Sequence, residues 1–269
     1  MLDFDLSPYY DDFYATNGAQ QNGYMQILFK PGFAVQAREL TQTQTILQSQ
    51  LGELANTIFT NGSLVSGAEL TYDNSITALQ LQPYQGNLPI TLQDFDDTLI
   101  VNYNSGPQII RAKVVAVDTS LSSNTSAGAL AVKYLTGIEF TDGVEIQTVV
   151  TGGETSSIAT LLAANSTSSG ATVSINGGVF FVNGFFVTVA PQTIILSSLT
   201  DLPTCAVGLE IHEGVVNYTS DSALLDPAQG SFNYQAPGAD RYQISLVLAQ
   251  RSLTSTDRSE EHTSELQSH

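Results

Sequence analysis

The sequence predicts a mainly β, multi-module fold with one N-terminal helix of about 25 residues, a small β-barrel-like module in the middle and β-meander or sandwich modules after it. Three observations carry this. Apolar residues follow helical spacing in one stretch only, before Phe59. Past Asn61-Gly62 the pattern changes to alternation with a period of two and stays there, which is the signature of half-buried strands. The strand-like runs are divided by Gly, Ser, Thr and Asn, including the pairs Asn176-Gly177 and Asn183-Gly184, whose residues accept the positive φ of tight hairpin turns.

Residues 1–33 are expected to form an extended arm. "SPYYDDFYATNGAQQNGYMQILFKPG" mixes aromatics with the turn pairs Asn17-Gly18 and Asn22-Gly23 and ends at the breaker Pro31-Gly32. The helix follows over 34–60, from Ala34 to Phe59, with Arg38 and Glu39 placed to pair at its start. Leu40, Gln44, Leu47, Leu51, Leu54 and Ile58 recur in alternating four- and three-residue steps, a heptad seam. Its flanks in "TQTQTILQSQ" are almost uncharged, and Gln44 falls on the seam, where one polar residue sets register and oligomer number. Two outcomes fit these residues equally: a helix laid across a β domain of its own chain, or a self-association surface.

Residues 61–93 predict a hairpin, with "ELTYD" and "TALQLQ" as arms around Asn74-Ser75. Over 94–151 the runs "TLIVNY", "QIIRAKVVAVD", "ALAVKYL" and "GVEIQTVV" predict strands of a small barrel. Residues 152–202 predict a meander whose buried face is carried by Val179, Phe181, Phe185 and Val187. Residues 203–257 supply two long strands, "TCAVGLEIHEGVV" and "RYQISLVLAQR", around a long loop. In that loop Pro237 and Gly238 suit a tight turn, and Asp240 and Arg241 could tie it to a neighbour.

Chemistry-bearing patterns are sparse. The net charge is −18, from 8 basic and 26 acidic residues, and so few cations argue against nucleic-acid binding, which depends on phosphate neutralisation. Cys205 stands alone, so no disulfide framework is expected. No apolar run reaches the roughly 20 residues of a membrane span, and the N-terminus lacks the basic start and apolar run of a signal peptide. His212 shares a strand face with Glu210 and has Glu213 on the other, too few ligands for a metal site and no triad. P-loop, dinucleotide-fold and zinc motifs are missing, so neither cofactor nor catalytic residue is expected.

Two stretches carry a resemblance. "ILFKPGFAVQARELTQTQTILQSQL" followed by "IFTNGSLVSG", and "DSALLDPAQGSFNYQAPGADRYQISLVL", resemble a family of tailed-phage virion structural proteins that carries an uncharacterised domain, and "GGVFFVNGFFVTVAPQTIIL" between them does so too. The resemblance implies a non-enzymatic baseplate, tail or fibre-attachment subunit, located in the virion and assembled in the host cytoplasm. Its partners would be other tail subunits and further copies of itself, with trimers one expected form. The alternative is a glycan-binding or depolymerising tail fibre, which needs paired carboxylates such as Asp94, Asp96 and Asp97 or Asp221 and Asp226. With 0 Trp its sugar-stacking surface would have to come from the 11 Tyr. Finally, "RSEEHTSELQS" at 258–268 resembles the in-frame translation of a common short-read sequencing adapter, so 258–269, with His262 and His269, is expected to be artefact. Without it the balance of charge is −16, since one basic and three acidic residues go with it.

Overall fold

The computed structural model of the chain describes residues 23–103, 109–149 and 156–253, and the backbone of 264–265. Residues 1–22 of the expected arm, and all but that backbone pair of the adapter-like end, lie outside the described residues. One α-helix, α1 (Ala37–Asn56), precedes β1 (Ser63–Gly67), β2 (Leu70–Leu81), β3 (Tyr84–Gln85), β4 (Leu88–Pro89) and a 3₁₀ turn at Leu92–Phe95. Then come β5 (Leu99–Asn102), β6 (Arg111–Asp118), β7 (Gly128–Tyr134), β8 (Glu145–Thr148), β9 (Ile158–Thr160), β10 (Thr167–Ile175), β11 (Gly178–Val182), β12 (Phe185–Val189) and β13 (Gln192–Ser197). β14 (Cys205–Val216), a 3₁₀ turn at Ser222–Leu224, β15 (Arg241–Ser252) and β16 (Ser264–Glu265) complete the order. Among the described residues the protein is mainly β with one α-helix, as its periodicity predicts. No helix among the described residues is long and apolar enough to cross a membrane.

The helix is shorter than its pattern, 20 residues instead of the expected span over 34–60. Gln36 is extended at φ −95°, ψ 145° and caps it. The Gln36 backbone N–H donates to Glu39 Oε2 at 2.8 Å, satisfying one of the donors that a helix start exposes. Glu39 is thus a cap, and Arg38 Nε donates to Gln36 Oε1 at 2.6 Å. At the other end the Thr57 hydroxyl donates to the Leu54 carbonyl at 2.7 Å, closing the last turn.

Eight strands form one antiparallel sheet in the order β13-β10-β2-β7-β6-β5-β8-β9. Its far end curls back: Gln82 N–H donates to the Thr160 carbonyl at 2.8 Å and Leu162 N–H to the Gln80 carbonyl at 3.0 Å, so β9 meets the end of β2. The curl encloses a core of Leu79, Leu81, Phe95, Ile100, Leu130 and Ile146, among others. A curled half-barrel stands where a small barrel is expected over 94–151, and its wall also takes β2 and β9 from outside those bounds. A boundary at residue 93 or 151 would cut through one continuous sheet.

A second core lies where the flat end of that sheet, with β10 and β13, faces the hairpin β11–β12 and the ribbon β14–β15. Ala171, Val173, Phe180, Val187, Leu246 and Leu248 are buried there. Cys205 packs half-buried at its margin, and burial raises its thiol pKa.

The hairpin expected at 61–93 is not formed. β2 runs unbroken through Asn74-Ser75, and β10 pairs with it on both sides, Gly170 with Ile76 and Thr172 with Asp73. Two β2 residues therefore oppose the single Ala171, a β-bulge. The Asx-type contacts that suggest a turn are present, with Ser75 N–H and hydroxyl both donating to Asp73 Oδ1 at 2.9 and 2.6 Å. Pairing of this strand into the sheet absorbs them as a bulge. Asn176-Gly177 likewise joins strands of different sheets, β10 and β11, and is not a hairpin turn. Asn183-Gly184 is one: both residues have positive φ, 50° and 86°, and Val182 pairs with Phe185 across it.

Candidate assembly surface

In the β11–β12 hairpin β11 is covered on both faces, whereas β12 is buried on one face and exposed at Phe186 and Thr188 on the other. Pairing sets Phe180 opposite Val187 and Phe181 opposite Phe186, so these pairs point to opposite sides. The side of Phe180, Val182, Val187 and Val189 enters the second core. On the other side Phe181, wholly buried, stacks with Phe186 at 5.4 Å and with Phe59 at 5.9 Å between ring centroids. The four residues expected on one buried face therefore divide between two: Phe185 and Val187 lie on one, Val179 and Phe181 on the other. The apolar run of β11 is buried on both sides and carries no alternation from which to choose a face.

Phe59 follows α1, and the helix is seated at the tip of the same hairpin. Gly52 and Gly184 approach backbone to backbone: a Cβ on Gly52 would lie 3.6 Å from the Gly184 Cα and carbonyl oxygen. Beside them Gln48 Nε2 donates to the Gly184 carbonyl at 2.7 Å. Asn61 Oδ1 accepts from the Asn183 N–H at 2.8 Å, and the Asn183 amide donates to Glu213 on β14. The buried residues of the helix are Gln42, Ile46, Gly52 and Ala55.

None of these belongs to the heptad seam. With Leu40, Leu47 and Leu54 at d and Gln44, Leu51 and Ile58 at a, the buried residues occupy positions b, c, e and f. At about 100° per residue, this buried set is centred on the side of the helix opposite the seam. Leu40, Leu47, Leu51, Leu54 and Ile58 are accordingly 48–69% exposed, and Gln44 is exposed as well. The helix is laid across a β hairpin of its own chain, one of the two outcomes that the residues left open, but by the side opposite the seam. Burying a leucine fully stabilises by about 1.5–3 kcal/mol, and among the described residues much of that contribution is unused along the stripe.

The apolar surface continues past the helix. Met25, Leu28, Phe29, Phe33 and Val35 are exposed on the preceding segment. That segment turns at Gly32, whose φ is +84°, and doubles back so that Met25 Sδ lies 3.5 Å from Gln50 Nε2. Contiguous apolar patches of more than a few hundred Å² are rare on monomers and mark interaction surfaces.

The other singled-out residues have local roles. Gly238 N–H donates to the Leu224 carbonyl at 2.9 Å, and a Cβ there would come within 2.4 Å of that oxygen, so only glycine fits. Pro237 forms an isolated bridge with Leu225. The two residues thus close the base of the long loop by pairing across it, and the tight turn expected from them is not formed. Arg241 Nη1 donates to the carbonyls of Ala239 and Asp240 at 2.6 and 3.2 Å, within its own loop. Asp221 accepts from Ala223 N–H and Asp226 from Ala228 N–H, as turn caps. Asp97 pairs with Lys113 at 2.7 Å and Gln93 donates to Asp96. His212 Nε2 lies 3.8 Å from Glu210 Oε2 on an exposed strand face. Among the described residues no three His, Cys, Asp or Glu side chains gather as a metal site would need.

Sequence reasoning missed the seat formed by Gln48, Gly52 and Gly184. The available signal was a glycine and small residues on the stripe opposite the leucines.

No curated protein and no solved structure matches the chain. The model of one family, described as a domain of unknown function, matches residues 7–117 and 146–259, which takes in the helix, the arm beside it and the hairpin on which it sits. Matched over most of its length, the chain belongs to the DUF4815 family.

Proposed function

We propose that the protein is a structural subunit of a tailed-phage virion, in the baseplate, tail or fibre attachment, and that it works by protein–protein assembly. The observation that carries the assembly part is the seam of Leu40, Leu47, Leu51 and Leu54, with Ile58 just past the helix end, exposed on a helix whose other side is already seated. A helix seated by one side and apolar on the opposite one belongs between two bodies. The phage assignment is supported by the resemblance of the arm, helix and loop segments to virion structural proteins. The weakly charged composition, 13% charged residues, suits a surface largely covered by neighbours.

The test is mass spectrometry of purified virions of a phage that encodes this chain. Peptides from 23–253 at a fixed ratio to other tail proteins are expected, and their absence from intact virions overturns the reading. Resequencing the source DNA across the codon for Asp257 tests the adapter reading of 258–269 separately. Codons for this segment in independent template would end it.

A further inference from the structure

We propose that the exposed seam of α1 takes the same seam of another copy of this chain, parallel and in register, with Gln44 against Gln44. The inference deepens the assembly reading above and rests on it.

Charge leaves this surface open to a second copy. At a net charge of −18 two copies repel at long range, and a contact free of carboxylates adds least to that repulsion. The helix's charged residues, Arg38, Glu39 and Glu53, all sit at positions b or c, away from the seam. The flanking positions are Thr41, Gln48 and Ala55 on one side and Thr43, Gln50 and Thr57 on the other. All six are uncharged, so the stripe lacks the charged flanks by which unlike helices choose each other.

Gln44 selects the orientation. Its amide is both donor and acceptor, so it is satisfied by an identical amide across the interface. In a parallel, in-register pair each a residue meets its own copy, which sets Gln44 beside Gln44 and leaves leucine and isoleucine in every other layer. Reversing one helix while keeping all six layers opposed puts Gln44 against Leu54. That buries an amide without a partner at two places in the same interface. The occluded side of the helix does not obstruct the pairing, because the seat on Gly184 lies opposite the seam.

The experiment uses the full chain. Light scattering across a concentration series is expected to give a multiple of 28.7 kDa. Leu47→Glu is expected to return it to the single-chain mass without moving the thermal midpoint measured at dilution, since Leu47 is 64% exposed. In a Cys205→Ser background, Gln44→Cys is expected to oxidise to a covalent dimer, and Arg38→Cys, off the seam, is not. A chain that stays at 28.7 kDa at the highest attainable concentration overturns the proposal. So does a disulfide that forms only when Gln44→Cys and Leu54→Cys chains are mixed, which reports the reversed orientation. Virions that contain a chain monomeric in solution would sink this inference and leave the virion reading standing. Self-association of a chain absent from virions would do the reverse.

Discussion

The two sides of α1 invert the usual amphipathic arrangement. The side against the protein's own β structure is built from Gly52, Ala55, Ile46 and a polar Gln48, while the large aliphatic side chains stand outward. Small residues let the helix backbone approach the hairpin tip closely, so the seat is held by contact and the hydrogen bond from the Gln48 amide to the Gly184 carbonyl. The outer side has the area and the regular spacing that make a helix–helix interface. The difference teaches that hydrophobicity along a helix ranks its surfaces by how much they can bury, not by which one its own chain covers.

Four substitutions or conditions separate the two sides, and the largest effect is expected beneath the seat. Phe181→Ala removes the ring on which Phe59 and Phe186 pack, and should cost about 3–5 kcal/mol in denaturant midpoint analysis. A loss below about 1 kcal/mol would mean that the aromatic cluster does not support the helix. Gly52→Val overfills the close approach to Gly184, with an expected loss of about 1–3 kcal/mol. Helix-specific hydrogen exchange should rise with it, and unchanged protection over 37–56 would place the seat elsewhere.

Acid acts on the body beneath both sides. The Ser75 hydroxyl and the Lys133 ammonium hold the Asp73 carboxyl down at about 2. A depressed carboxyl contributes stability that is present above its ordinary value of about 3.9 and is lost as pH falls from there toward 2. Asp73 is half-buried but its partner Lys133 faces solvent, so after screening the effect should stay under about 1 kcal/mol. Asp73→Asn should flatten that part of the stability–pH curve, and an unchanged slope would show that other carboxylates set it. The smallest effect is expected on the outer side. Leu47→Ala, studied dilute, should change stability by less than about 0.5 kcal/mol, and a larger loss would show that the seam packs on its own chain after all.

Much of the fold was legible. The change of period after Asn61-Gly62 separates one helix from a long run of strands, and Asn183-Gly184 marks a hairpin because its two residues tolerate positive φ where the turn demands it. The seam, too, was legible as a seam. Asn74-Ser75 shows the limit of such local signals. Its Asp73 contacts are those of a turn, yet pairing with β10 makes it a bulge, because neighbouring strands supply more hydrogen bonds than a local turn does.

By itself, then, the sequence determined the kinds of element, the position of helix α1 and which of its residues form an apolar stripe. These follow from side-chain period and backbone sterics, which act over a few residues. Only the tertiary structure decided that β2 and β9 complete the curled sheet, that Gly52 meets Gly184, and that the leucine stripe is left facing outward. Each of these depends on partners far apart in the sequence, or on which of two surfaces a neighbour reaches first. Periodicity in a single chain carries no information about either.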